Sequence, residues 1–265
     1  MYWKYGIALE RVGLLGFERQ NWESVVRMHL GWIEGTAVGG LLLRCIAREV
    51  LAAAPGTTLR KFTHPAQPGE PTEGVLVVPY TDGDCNAAQL NGKVWYTPYL
   101  QGPCGDIWTR VGRNRGALPH EILFHELVHA LRDVAGHGNR TAPLTGGLQK
   151  YGNTEELIAV VVTNIYMTDP SNTRADHVGV RAEHDTFAKA SPELASSLGF
   201  FKSSLDAFSR IEQFCTEDRY FAERLSEIPA TFNPVAAYFH DQATARSNSA
   251  SFRAVVRDVL PPRSS

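Results

Sequence analysis

The sequence predicts an α+β fold, mostly helical, with a small antiparallel sheet packed on a central helix. Three observations carry that prediction. Apolar residues recur every three or four positions near the start of the chain and again in its last third. Two short runs rich in Val, Trp and Tyr stand between residues 75 and 99, and strong helical periodicity returns soon afterwards. With 265 residues, 43% of them hydrophobic and 20% charged, the chain has the apolar side chains for one large domain that needs no disulfide or metal to hold a core. Within it, residues 1–60 read as a helical N-terminal part and 74–168 as the sheet with two helices. Residues 192–258 read as a helical C-terminal part and 259–265 as a tail.

From Asn21 to Glu34, the side chains Trp22, Val25, Val26, Leu30 and Trp32-Ile33 make one face of a helix. Thr36 caps a second helix carried by Leu41 to Ala54 and ended by Pro55-Gly56, with Gly39 and Gly40 blurring its start. Prolines 65, 68 and 71, with Gly69 and Gly74, prevent regular structure between Phe62 and Gly74 and predict an exposed connection. The runs Gly74–Tyr80 and Lys93–Tyr99 then read as antiparallel strands, with turn signals at Asp82-Gly83 and Asn91-Gly92. Pro79 and Pro98 each remove a ladder donor, so the strands end there or lie at an edge. A loop from Gly102 to Arg115 precedes Pro119, which opens a helix running to about Ala135 with Gly136 as its stop. Asn153 or Thr154 caps a further helix over Glu155 to Met167, ended by Asp169-Pro170. From Pro192 onward the pattern is helical with breaks at Pro229 and Pro234, and Pro261-Pro262 begins a frayed tail.

A net charge of -2, from 26 basic and 28 acidic residues, gives no electrostatic reason to expect nucleic acid and points to protein or small-molecule chemistry. Cys45, Cys85, Cys104 and Cys215 include no C-x-x-C pair, which excludes a zinc knuckle and a dithiol redox motif. Cys45, inside the apolar run Leu41–Ile46, reads as a core residue. No apolar run approaches the ~18 residues of a membrane-spanning helix, and the first residues lack the basic-then-apolar pattern of a secretory signal. The expectation is therefore no membrane span and no signal-peptide export.

The chemistry is concentrated in His125-Glu126-Leu127-Val128-His129. On a helix the two histidines project from one face, one turn apart, and their nitrogens suit a single Zn²⁺ at about 2.0–2.1 Å. Glu126, one position round from the first ligand, reaches an activated water without displacing it and serves as general base. The flanking residues are apolar, so unpartnered polar groups here would be costly and a metal offsets that cost. His120 lies about 140° round the helix from His125 and faces elsewhere. A third ligand is still required. Arg132 and Ala135 stand where the long form of the motif needs Gly and His. Asp133 is about 12 Å along the axis from His125 and cannot share a metal with both histidines. His137 follows the helix stop and reads as a surface or supporting residue. Glu155 and Glu156 open an apolar helix after a segment long enough to turn back, and either one completes a His-His-Glu set with the fourth position open.

The run Pro119-x3-Leu-Phe-His-Glu-Leu-Val-His-Ala, followed by Glu-Glu-Leu-Ile-Ala-Val-Val-Val-Thr-Asn-Ile-Tyr, resembles the NleD-like effector metallopeptidases that bacteria deliver into host cells. The Tyr-Gly-x-Thr stretch leading to these glutamates is similar to the gluzincin site of lethal-factor-type toxins. The resemblance covers about residues 117–168, with an echo at Thr36-x-x-Gly-Gly-Leu-Leu-Leu. It implies a zincin-like fold, Glu156 as the glutamate ligand, and Tyr151 as a tyrosine that stabilises the oxyanion. It also implies a protein substrate in a host cell and delivery by a dedicated secretion system. One position departs: gluzincins often carry a carboxylate four residues after the ligand, and here that residue is Val160.

The function expected from the sequence is a zinc-dependent endopeptidase with one Zn²⁺ on His125, His129 and Glu156, Glu126 as base and Tyr151 at the oxyanion. Val94 to Thr97 is the expected edge strand for an extended substrate. Two rivals stand beside it: a zinc amidase acting on a non-peptide substrate, and a helical interaction module with an unused motif.

Overall fold

The computed structural model describes residues 2–11, 13, 16–53, 59–62, 71–80, 87–96, 98, 118–138, 143–144, 146–173, 180–182, 191, 195–204 and 206–248. They group into two compact units, one of Met1–Gly138 with Ser171–Asp176, the other of Asn139–Pro170 with His177–Ser265. The fold is mixed α and β, with more helix than strand. The tail at 259–265, the loop at Gly102 to Arg115, Cys85 and Cys104 lie outside the described residues.

The first unit begins with β1 (Tyr2–Lys4) and β2 (Ile7–Leu9), joined by Tyr5-Gly6 with both residues in the left-handed region at φ 56 and 71. That is the two-residue turn whose twist suits a hairpin. Tyr5 is an unusual residue there, and its hydroxyl donates to Glu34 at 2.9 Å while the Gly6 carbonyl accepts from Val75 N–H at 2.9 Å. Helices α1 (Gly16–Glu34) and α2 (Ala37–Ala52) follow, with a 107° bend between the end of one and the start of the other. Thr36 caps α2 as expected, its hydroxyl accepting from Gly39 N–H at 2.9 Å. Gly39 is required by that close turn, because a β-carbon there would collide with the Ile33 carbonyl.

The remaining strands are β3 (Arg60–Lys61), β4 (Glu73–Val78), β5 (Ala87–Leu90) and β6 (Lys93–Tyr96). The sheet order is β1-β2-β4-β6-β5, with β3 also on β4. The sheet is mixed, which corrects the antiparallel expectation: β4 runs parallel to both β2 and β6, with Val77 opposite Leu9 on one side and Val94 on the other. The reason lies at Asn91-Gly92. Their left-handed backbone, φ 52 and 70, closes a tight hairpin between β6 and the additional strand β5, with Leu90 opposite Lys93. The antiparallel partner of β6 is thus β5, and β6 itself is interior. Val94 to Tyr96 are accordingly not an edge, and Thr97 lies outside the described residues. The N-terminal part likewise contains strands as well as helices, because β1 and β2 are too short to show periodicity.

Helix α3 (Pro119–Val134) packs against α1, α2, β5 and β6. Its buried residues fall on every side of the helix, as in a core helix, and they include His120, Glu121, His125, Glu126, His129 and Arg132. Beside it the core holds Trp22, Leu30, Leu42, Val77 and Tyr96, and the Trp22 indole donates to the Tyr96 carbonyl at 3.0 Å. Cys45 is buried with them, as its surroundings predict.

The second unit opens with a 3-10 turn at Gly146–Tyr151 and α4 (Thr154–Met167). Short helices α5 (Ser197–Phe201), α6 (Ala207–Glu217), α7 (Arg219–Ser226) and α8 (Pro234–His240) follow. Almost every side chain of α4 is buried. The Asn164 amide exchanges two 2.9 Å hydrogen bonds with the backbone of Arg181, donating to its carbonyl and accepting from its N–H. Asn233 caps α8 ahead of Pro234 at the first helical position, and its amide also donates to the Leu225 and Ile228 carbonyls. Burial pushes the Cys215 thiol well above its ordinary range, so it is an inert core residue. Among the described residues no single helix is long and apolar enough to cross a membrane.

Candidate metal centre

Helix α3 starts where its sequence says. Pro119 needs no hydrogen-bond partner at the first position, and the Glu121 carboxylate accepts from the Leu118 N–H at 3.1 Å. One and two turns along stand His125 and His129, 4% and 2% exposed. Their Nε2 atoms lie 3.2 Å apart and their rings are nearly perpendicular at 87°, centroids 4.8 Å apart.

That geometry allows a direct test of fit. Two nitrogens bound at about 2.0–2.1 Å to one tetrahedral ion stand roughly 3.3 Å apart. The observed 3.2 Å satisfies that requirement without moving the helix. The same separation suits a hydrogen bond between one protonated and one unprotonated Nε2.

Helix α4 presents its acids in the first turn. Asn153 caps it, accepting from the Glu156 N–H at 2.9 Å. Glu156 is half-buried on α4 in the second unit, whereas the two buried histidines belong to the first. Glu155, 100° round the helix, has its side chain buried. Glu126 is buried on α3 at 8% exposure, adjacent in sequence to the first histidine.

Tyr151 ends the 3-10 turn with its ring buried, 5.5 Å from the Lys150 ammonium. It borders a cavity of about 10 Å³, room for about one water, together with Asn164, Arg181, Phe200 and Phe232. His137 serves the helix end: its N–H donates to the Arg132 carbonyl at 2.8 Å and its carbonyl accepts from the Arg132 guanidinium at 3.1 Å.

Asp133, set aside as a ligand, has a different task. Its carboxylate accepts from the Gln89 amide at 2.7 Å and the Asn91 N–H at 3.2 Å, tying the β5–β6 hairpin to the last turn of α3. A β-carbon at Gly138 would collide with the same carboxylate. Nothing local in the sequence reveals this tie, since its partners are some forty residues apart. Sequence reasoning also missed a buried group formed by His29, Tyr96 and His120, which come from three separate elements. No family model, curated protein or solved structure matches the chain.

Proposed function

We propose that the chain is a zinc-dependent endopeptidase of zincin-like architecture. The observation that carries this reading is the 3.2 Å separation of the two imidazole nitrogens on α3. His125, His129 and Glu156 would hold the metal and leave its fourth position open. When bound, zinc supplies a Lewis acid that makes water nucleophilic near neutral pH and polarises a carbonyl. Glu126 takes the proton of the attacking water and returns it to the departing nitrogen as the peptide bond breaks. Tyr151 is assigned to donate its hydroxyl proton in a hydrogen bond to the carbonyl oxygen as negative charge develops there. The low exposure of both histidines and Glu126 supports the reading, because charge interactions are stronger where water is scarce.

The choice of a peptide bond, and of a host protein as its bearer, rests on the resemblance of residues 117–168 to effector metallopeptidases. Elemental analysis of the purified chain should find one zinc per molecule, and a peptide-library digest should show cleavage that a chelator stops and added zinc restores. Absence of stoichiometric zinc overturns the reading. Zinc without peptide cleavage would move the assignment to an amidase of non-peptide substrates.

A further inference from the structure

The first unit holds a second cluster of titratable groups that shares no residue with the proposed metal set. His29 of α1 is 5% exposed, and its Nδ1 lies 2.8 Å from the hydroxyl of Tyr96 on β6, which is fully buried. Its ring centroid is 6.4 Å from that of His120 on α3 and 5.0 Å from that of Trp32, and Trp32 meets His120 edge-on at 5.6 Å. The His29–Tyr96 polar contact therefore sits where α1, β6 and α3 converge. Among the described residues the titratable groups that face His29 are Tyr96 from β6 and His120 from α3. Among the described residues no carboxylate contacts it, and burial alone pushes its imidazole down to about 4.

We propose that the His29–Tyr96–His120 cluster is an acid-sensitive latch, which holds α1 against β6 and α3 near neutral pH and lets them part when His29 takes a proton. A neutral imidazole suits this place, since its Nδ1 shares one hydrogen bond with a phenol and its ring packs on aromatic neighbours. A protonated one does not. It would put a cation beside a second imidazole, in a buried place where no carboxylate among the described residues contacts the ring.

The direction of the pH effect follows from proton counting. An exposed imidazole binds its proton below about 6.5 and the buried one only below about 4. Between those values the opened state holds one more proton than the closed state, so the closed state loses about tenfold in its equilibrium constant per pH unit of acidification. Above about 6.5 and below about 4 the cluster adds no slope.

The test is acid unfolding of the full chain in the presence of a chelator, comparing wild type with His29→Gln. Glutamine stays neutral at every pH and keeps a group able to hydrogen-bond the Tyr96 hydroxyl. The wild type should lose stability more steeply than the variant between about pH 6.5 and 4, by about tenfold per unit, and the two slopes should agree outside that window. Equal slopes inside it would overturn the latch. Should the variant fail to fold, the His29 ring resonance of the wild type decides alone. Titration near 4, or only on acid unfolding, supports the proposal, whereas ordinary titration near 6.5 in the folded chain refutes it.

Discussion

Helices α3 and α4 both carry polar side chains into an apolar core, and one pair on each is handled differently. On α4 two neighbouring polar groups are answered from within the protein: the Thr163 hydroxyl donates to the Ala159 carbonyl one turn back at 2.7 Å, and Asn164 is matched by the backbone of Arg181. On α3 the two buried imidazoles point their Nε2 atoms toward each other at the distance a shared ion requires. A buried polar group closed by backbone fixes a structure, while two imidazole nitrogens this close suit either a hydrogen bond between them or a shared ion. The contrast separates stability from chemistry: substitutions at Thr163 and Asn164 should cost stability, and those at the proposed zinc site should cost zinc or activity.

The largest effect is expected at Glu126. Replacing it with Gln should lower kcat by about 10²–10⁴-fold, the worth of a general base, while zinc content and melting temperature stay as in wild type. Zinc loss in that variant would make Glu126 a structural residue and blur the contrast. Next is His129→Ala, which should weaken zinc binding by at least about a hundredfold, since even supporting residues around a metal contribute ten- to a hundredfold. Competition with a fluorescent chelator measures it, and unchanged affinity would remove His129 from the ligand set. The same assay on Glu156→Ala and Glu155→Ala sharpens the picture on α4: only the first should lose zinc, and the reverse would move the third ligand by one residue.

Smaller in functional terms is Asn164→Ala. It should destabilise the fold by about 2–4 kcal/mol by stranding the buried N–H and carbonyl of Arg181, read as a lower midpoint in urea. Zinc affinity should not change, and a parallel loss of zinc would show that α4 does not divide its work as described. Thr163→Val should cost least, under about 1 kcal/mol, because the Ala159 carbonyl keeps its helical hydrogen bond.

How much of this was legible in the sequence depended on whether the signal was local. Pro119, Gly136, Thr36 and Asn153 act within one turn of themselves, so the starts of α2 and α4 and both ends of α3 could be read from them. His125 and His129 are likewise one turn apart, and their convergence follows from helical geometry alone. Strand direction is another matter. Ala87-Ala88-Gln89-Leu90 has no β-branched residue to betray it, so the Asn91-Gly92 turn read as a boundary between other strands and not as the middle of a hairpin. The tie from Asp133 to Gln89 and the meeting of His29 with Tyr96 and His120 join segments 44 to 91 residues apart, and no window of sequence holds both ends. Glu156 over Glu155 came from family likeness, which supplied what spacing left open.

The indole of Trp32 stands within ring contact of both His29 and His120. An imidazolium quenches indole emission far more strongly than a neutral imidazole does, so this side chain is a fluorophore placed beside the groups whose charge it would sense. The protein thus carries its own optical gauge of acidity, readable without a label once the other tryptophans are silenced.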